Sequence, residues 1–210
     1  MKKNKSHGVR PVSARDVWKK SCAGFSAGCR HYKSPANTGF LSNEKIREYM
    51  EGHLSRERYS HTLNVAKLAI MIAKRHGIKN LKKIETAALL HDYSKGSGNG
   101  AEHSAMASRA ARRVFKIKDR YILDAIRHHT FGHRDMSDFS KIIYIADFSE
   151  PGRRFSAAKK IRRAALRDLD RAMLLALSEK IKYVVSKGEP LSGESVALYN
   201  KLVNSQCAKK

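Results

Sequence analysis

The stretch that most limits what this chain can become is Leu89-Leu90-His91-Asp92-Tyr93-Ser94-Lys95. It is entered by an apolar helix, in which Ile84, Ala87, Ala88 and His91 stand at i, i+3, i+4 and i+7. A helical stripe of that spacing faces a core. A core face ending in a histidine and an aspartate buries two polar groups, which costs free energy unless something satisfies them. A metal ion does so, because neutral imidazole and carboxylate are its ordinary nitrogen and oxygen ligands. Gly96-Ser97-Gly98 then stop the helix and leave the pair at an open end. A His-Asp dipeptide also fits a core histidine bonded to its neighbour, so the rest of the chain must supply the missing ligands.

It does so with one repeated device. From Asn43 onward nearly every segment carries helical periodicity, and no strand pattern competes with it, so the expected fold is all-α, a bundle of about seven to eight helices. A short helix is expected through Ile46, Tyr49 and Met50, followed by a long one from about Ser55 to His76 that ends at Gly77. The inward stripe of the long helix reads His61, Val65, Leu68, Ala69, Ile72. After the Ile84–Leu90 helix, a fourth turns His103, Met106, Ala107, Ala110 and Val114 inward, and a fifth Ile122, Ala125, Ile126 and His129. A sixth presents Phe139, Ile142, Ile143, Ala146 and Asp147. A seventh, long and basic, runs from about Ala157 to Lys187 and closes at Gly188. After the Pro190 turn, Ser192 caps a last short helix through Val196, Tyr199 and Leu202. Five successive helices thus each set a metal-ligand residue type on an apolar stripe: His61, His91 with Asp92, His103, His129 and Asp147. If the stripes meet, the ligands converge. His129 is preferred to His128 because it alone continues its stripe, and His53, His76 and His133 are read as surface residues.

At 210 residues, 41% of them hydrophobic, the chain suits one domain, expected over residues 43–205. Residues 1–42 lack apolar periodicity and read as a flexible basic extension, with a short helix around Val17-Trp18. No apolar run reaches the roughly 18 residues of a membrane span. Cys22, Cys29 and Cys207 form neither a disulfide framework nor a C-x-x-C zinc site, which points to a reducing cytoplasm. The net charge of +24 is not confined to the extension: residues 1–43 hold nine Lys or Arg against one Asp, and the excess continues beyond. Charge of this size suits a polyanionic substrate, nucleic acid or an anionic surface and selects none of them.

Longer motifs narrow the reading. Arg58-Tyr59-Ser60-His61-Thr62-Leu63, Leu90-His91-Asp92-Tyr93-Ser94-Lys95, Ala125-Ile126-Arg127-His128-His129-Thr130 and Tyr144-Ile145-Ala146-Asp147 follow one another in order. Glu150-Pro151-Gly152-Arg153, Asp168-Leu169-Asp170 and Tyr199-Asn200 complete the set. Over about residues 44–203 it resembles the YqeK family of HD-domain phosphohydrolases, which cleave diadenosine tetraphosphate symmetrically into two ADP. The resemblance implies an iron centre bound by His61, His91, Asp92 and Asp147, with manganese able to take its place. It implies Asp92 and Lys95 as catalytic. His103 and His129 match positions that contact the nucleotide phosphates or complete a second metal position. Further nucleotide contacts are implied at Arg58, Tyr93, Ser94, Phe148 and Arg153, and in the turn Pro190, Leu191, Ser192, Gly193, Glu194, Ser195.

The residues themselves agree with that chemistry. Lys95 lies one turn past His91 and can neutralise phosphate as a point charge. Arg58 shares a helix face with His61, and Arg153 offers bidentate phosphate contacts. Two features depart from the family pattern. Lys95 reaches His103 through only Gly-Ser-Gly-Asn-Gly-Ala-Glu, where relatives carry a longer insert, and His103-Ser104-Ala105-Met106-Ala107-Ser108 lacks the family's two glycines. The first expectation is therefore an enzyme acting on dinucleoside polyphosphates, with a homodimer allowed. Another HD-type nucleotide phosphatase or phosphodiesterase is the second. A non-catalytic RNA-binding module, using the basic tail, is the third and least favoured, because no nucleic-acid motif accompanies the charge.

Overall fold

A computed structural model describes residues 42–95 and 100–207. Nine helices are present among them and no strand: α1 Asn43–His53, α2 Arg56–Arg75, α3 Leu81–Leu90, α4 Gly100–Arg113, α5 Arg120–His128, α6 Asp138–Ser149, α7 Ala158–Ala165, α8 Leu169–Ser186 and α9 Gly193–Cys207. The extension before Ser42, with the helix expected near Val17-Trp18, lies outside the described residues.

Helix starts are written in the sequence. Ser42, Ser55, Asp119, Ser137 and Asp168 each precede a helix in extended backbone, and their side chains accept from Lys45, Arg58, Ile122, Ser140 and Arg171 N–H respectively. Each cap satisfies an amide that the first turn leaves without a partner and is worth about 1 kcal/mol. Gly77 ends α2 at φ +68°, as its sequence position suggested. Gly132 follows α5 at φ +77°, and a Cβ there would stand 2.7 Å from Leu198 Cδ2 of α9. That close approach brings the last helix against the end of α5.

The centre is α6. Ile142, Ile143, Tyr144, Ile145 and Ala146 are all buried, so this helix is apolar on every side and is enclosed by its neighbours. It packs against α2, α3, α5, α7 and α8. Val65, Ala69 and Ile72 of α2, Ile84, Ala88 and Leu89 of α3, and Ile122 and Ile126 of α5 complete the core around it. Each such large side chain contributes about 1.5–3 kcal/mol relative to exposure. Asn43 ties α1 to α3, donating to Lys82 O at 3.0 Å and to Glu85 Oε2 at 2.7 Å and accepting from Thr86 Oγ1 at 2.6 Å.

Four sequence expectations need correction. The long helix expected from Ala157 to Lys187 is two helices, because Asp168 leaves helical geometry at φ −150° to cap α8. The last helix is not short: it extends to Cys207. On α4 the buried side chains are His103, Ser104, Ala107 and Ala111, whereas Met106, Ala110 and Val114 are only half-buried. In an alanine-rich helix several faces are similarly apolar, and the smallest one packs closest to α5. Finally, His53 and His76 are half-buried and not free surface residues. His53 stacks on Tyr93 with ring centroids 4.8 Å apart, and His76 Nε2 donates to Ala165 O at 2.7 Å.

Candidate metal centre

Helices α3, α5 and α6 end at one place, and the second turn of α2 and the start of α4 pass beside it. His91 is the C-cap of α3 and His129 the C-cap of α5. Both use the same local device. Nδ1 of His91 donates to Ala88 O and Nδ1 of His129 to Ile126 O, each at 2.7 Å and three residues back. The bond satisfies a helix-end carbonyl and fixes the tautomer, so each Nε2 carries its lone pair toward the centre. His61 reaches the same state differently, because its Nδ1 donates to Glu150 Oε1 at 3.2 Å. Glu150 is 3% exposed, and its Oε2 accepts from Gly152 N–H at 2.5 Å.

The carboxylates stand among these nitrogens. Asp147 Oδ1 lies 3.1 Å from His61 Nε2 and 3.7 Å from His91 Nε2. Asp92 Oδ2 lies 3.6 Å from His91 Nε2 and 3.9 Å from His61 Nε2. The other oxygen of Asp92 faces away from them, 3.4 Å from His129 Nε2 and 3.6 Å from His103 Nε2. Asp92 therefore joins two donor sets, His61-His91-Asp92-Asp147 and Asp92-His103-His129. In the triads His61-His91-Asp92 and Asp92-His103-His129 the ligand atoms lie within 4.8 Å of one another.

Hydrogen bonding does not account for this arrangement. His61 Nε2, His91 Nε2 and Asp92 Oδ1 are buried and have no hydrogen-bond partner. Lone pairs facing carboxylate oxygens at these distances repel unless positive charge lies between them. Ligands about 2.0–2.2 Å from a common metal ion stand roughly 3–4 Å from one another, which matches the separations observed. The donor set, nitrogen and oxygen without thiolate, suits a divalent transition metal. The electrostatics carry the same demand for a cation. Burial alone would push the His91 imidazole down, but the Asp92 and Asp147 carboxylates move it above its ordinary value. Burial would likewise raise Asp92 and Asp147. Imidazoles hold both well below the usual carboxylate range: His91 and His129 for Asp92, His61 and His91 for Asp147.

Cations cover the outer side. Lys95 Nζ donates to Asp92 Oδ2 at 2.5 Å, and Arg153 Nη2 donates to Asp147 Oδ1 at 2.9 Å. Arg58 donates to Lys95 O at 2.7 Å, fastening the turn after α3 to α2. The turn before α9 belongs to this end of the bundle: Ser195 is buried and donates to Phe131 O at 2.7 Å, while Pro190, Leu191, Gly193 and Glu194 are exposed and Ser192 is half-buried. Two expected contact residues sit in aromatic clusters. Tyr93 packs among Tyr49, His53 and Phe115, and Phe148 packs between Tyr144 and Phe155. Ser94 is half-buried in the same turn as Lys95.

Three residues absent from the expected site belong to it by geometry. Glu150 orients His61, and its spacing of three from Asp147 across a helix end was the available signal. Thr130 follows His129, and its Oγ1 lies 3.2 Å from Nε2 of both His103 and His129. Lys180 of α8 donates to Thr130 O, with its Nζ 5.0 Å from the centroid of the Phe131 ring and 5.4 Å from that of Tyr144. Burial pushes its ammonium down to about 8, partly opposed by Asp147. Nothing in the sequence singles out this lysine among so many.

Known proteins share both the motif and the fold. The HD domain profile matches residues 58–151. A symmetrical bis(5'-nucleosyl)-tetraphosphatase of Halalkalibacterium halodurans is 32% identical over 187 residues, spanning 79% of this chain and all of the relative. The Bacillus subtilis protein of the same description is 29% identical over 185 residues, spanning 78% of this chain and 99% of the relative. A Clostridium acetobutylicum crystal structure, described as a predicted HD superfamily hydrolase involved in NAD metabolism, superposes with a TM-score of 0.74. It shows 32% identity and spans 80% of this chain and 100% of that one. The ordered motifs, the helical fold and the likeness over nearly the whole length of these relatives agree: the chain belongs to the YqeK-type family of HD-domain phosphohydrolases, the symmetrical bis(5'-nucleosyl)-tetraphosphatases.

Proposed function

We propose that this protein hydrolyses diadenosine tetraphosphate, or a closely related dinucleoside polyphosphate, at its central bridge to give two nucleoside diphosphates. The observation that carries the reading is the pair of buried imidazole nitrogens with no hydrogen-bond partner, His61 Nε2 and His91 Nε2, each facing a carboxylate. His61, His91, Asp92 and Asp147 would hold the metal, with iron the expected ion and manganese able to replace it. When bound there, a divalent ion supplies an acidified water and polarises the phosphoryl oxygen it touches. Asp92, a ligand of that ion, would also accept a hydrogen bond from the attacking water and so orient it. Lys95 and Arg153, now paired with the carboxylates, place positive charge where a phosphate chain enters. His103, His129 and Thr130 form a polar wall around Oδ1 of Asp92 that suits phosphate oxygens or a second ion. Water adds to an inner phosphorus, the central P–O bridge breaks, and the leaving diphosphate departs with its charge neutralised by these cations.

The short connection from Lys95 to His103 favours loose handling of the distal nucleoside. Fewer residues are available there to add contacts beyond the first diphosphate unit. The enzyme is expected to discriminate weakly among distal bases and to accept adenosine tetraphosphate. Product analysis on purified, metal-loaded protein tests the main reading: ADP as sole product supports it. Intact substrate, with metal binding shown by elemental analysis of anaerobically purified protein, refutes it. Inorganic phosphate as the product assigns a phosphatase instead. A preference for the symmetric adenine dinucleotide above about a hundredfold, or ~2.7 kcal/mol, would show that the distal site is intact. A cytoplasmic setting, inferred from cysteine usage, accords with this role. Among the described residues no helix is long and apolar enough to cross a membrane.

A further inference from the structure

The catalytic reading leaves most of the positive charge unexplained, and that charge is not evenly distributed. Residues 151–167 hold seven Lys or Arg and no Asp or Glu. Elsewhere some cations, among them Arg47, Lys83, Arg120, Lys141, Lys182 and Lys201, meet a carboxylate, while a second acid-free group, Arg109, Arg112, Arg113, Lys116 and Lys118, closes α4 and the turn after it. Among the described residues, no carboxylate meets Lys159, Lys160, Arg163 or Arg167 of the α7 region, nor Lys74 or Arg75 at the end of α2. All six are exposed.

An ordinary solvated helix face does not account for this. The buried side of α7 is Ala158, Ile161 and Ala165, and its first turn contains no acid. Lys159 and Lys160 therefore sit in the first turn, where the helix field opposes positive charge. Lys159 and Arg163 lie four residues apart on α7, about 6 Å along its axis, and Arg167 follows in the turn just beyond the C-cap Leu166. The two ends of the face are fixed by contacts. At one end Arg153 touches Asp147 at 2.9 Å. At the other, Arg75 Nε donates to Leu166 O at 3.2 Å. Arg75 lies fourteen residues beyond His61 on α2, which places it about 21 Å from the metal centre along that helix. A line of cations therefore runs from the rim of the phosphate site to the far end of α2. There a shallow groove lined by Met71, Lys74, Arg75 and Leu166 offers an apolar floor between cations.

We propose that the face formed by α7 and the end of α2 binds a single-stranded polynucleotide through its phosphates, with the Met71–Leu166 floor receiving a base. Five of the seven cations in residues 151–167 are arginines, whose planar fork matches phosphate oxygens. The face is one helix wide and leads into a phosphate site, a path that a linear polyanion can follow and a planar bilayer cannot. Single strands bind such grooves through backbone charge and sequence-tolerant contacts to the bases. This inference stands apart from the catalytic reading.

The test is fluorescence anisotropy of a labelled oligouridylate titrated with the full chain at several salt concentrations. About four phosphate contacts give a slope of roughly −3 in log affinity against log salt. The variant combining Lys159→Gln, Arg163→Gln and Arg167→Gln is expected to reduce the magnitude of that slope by about 2 and to weaken binding at least tenfold. Its melting temperature and dinucleotide hydrolysis are expected to be unchanged. A second variant, Lys74→Gln with Arg75→Gln, should weaken binding in the same direction from the other end. The proposal is overturned if the oligonucleotide does not bind at low salt, or if wild type and both variants share one affinity and slope. It is also overturned if the three α7 cations govern binding to phosphatidylglycerol vesicles and not to the oligonucleotide.

Discussion

Glu150→Gln isolates what the buried carboxylate does for His61. The substitution keeps the volume and replaces one oxygen by an amide. Glu150 Oε1 accepts from His61 Nδ1–H at 3.2 Å and Oε2 from Gly152 N–H at 2.5 Å, so both ends need an acceptor. Glutamine can satisfy only one of them, and its hydrogen bond is neutral where the original was charge-assisted. Charge-assisted bonds contribute about 1.5–3 kcal/mol and neutral ones about 0.5–1.5 kcal/mol, so the orienting interaction should weaken by roughly 1–2 kcal/mol. Carried onto the ligand, that corresponds to a loss of about tenfold or more in metal affinity, the range found for outer partners of ligating histidines. Calorimetric titration of metal-stripped protein with Mn²⁺ reads it directly, with circular dichroism reporting the fold. Gly152→Ala approaches the same point from the other side. A Cβ there would stand 2.8 Å from Glu150 Oε1 and 3.0 Å from Oε2 and would push the carboxylate off His61. The two changes should be markedly non-additive when combined, because they act on one contact. Affinity within about twofold of wild type in Glu150→Gln would refute the orienting role.

Asp92→Ala is expected to abolish turnover and strip the metal while helical content stays nearly unchanged. Retention of more than about a tenth of wild-type activity, a loss of at most ~1.4 kcal/mol, would remove Asp92 from the site. Lys180→Met should alter how stability depends on pH. The native ammonium titrates at about 8 and an unfolded lysine near about 10.4, so between these values the unfolded chain holds a proton that the native one lacks. Stability contributed at this position therefore rises with pH across that window, by up to roughly 3 kcal/mol, and the variant should lack the rise. Parallel urea-denaturation stabilities for the two proteins through that window would contradict the burial of Lys180. Asp168→Ala removes the cap that separates α7 from α8 and should cost about 1 kcal/mol. Thermal melting would show this as a fall of roughly 2–4 °C, and an unchanged melting temperature would mean that the cap is not needed.

The ligand helices were legible because their signal is local. A histidine at i+7 of an apolar stripe announces its direction whatever surrounds it, as His91 and His129 do, and packing brings His61, His103 and Asp147 to the same place. Glu150 was not legible as the partner of His61 because the two are 89 positions apart, and only the packing of α6 on α2 brings them together. Tyr93 shows the opposite limit. It sits beside His91 and Asp92 in sequence, yet the turn after α3 sets its ring among Tyr49, His53 and Phe115. The break between α7 and α8 was missed because helical periodicity continues through it. The extended backbone at Asp168 marks the boundary, and its capping potential was visible in the sequence as an aspartate one residue before Leu169. The buried face of α4 was misjudged because an alanine-rich helix carries too weak a stripe to orient itself.

The placement of the centre at helix ends has a physical logic. The last carbonyls of a helix lack intrahelical donors and carry the negative end of its dipole. At α3 and α5 one histidine answers both conditions. Its Nδ1–H satisfies the carbonyl three residues back, and the same bond turns the Nε2 lone pair toward the centre. A bond required for a stable helix end thus also orients a ligand, and no separate loop is needed to hold the ring. Two dipole ends and the carboxylates of Asp92 and Asp147 then concentrate negative potential in one volume. Lys95 and Arg153 each offset part of it from outside, but the buried nitrogens between the carboxylates still have no partner. The remaining demand for positive charge falls on His91, whose imidazole is pushed upward by its neighbours. A divalent cation meets that demand while leaving the histidines neutral, so metal binding and proton release at this centre are coupled.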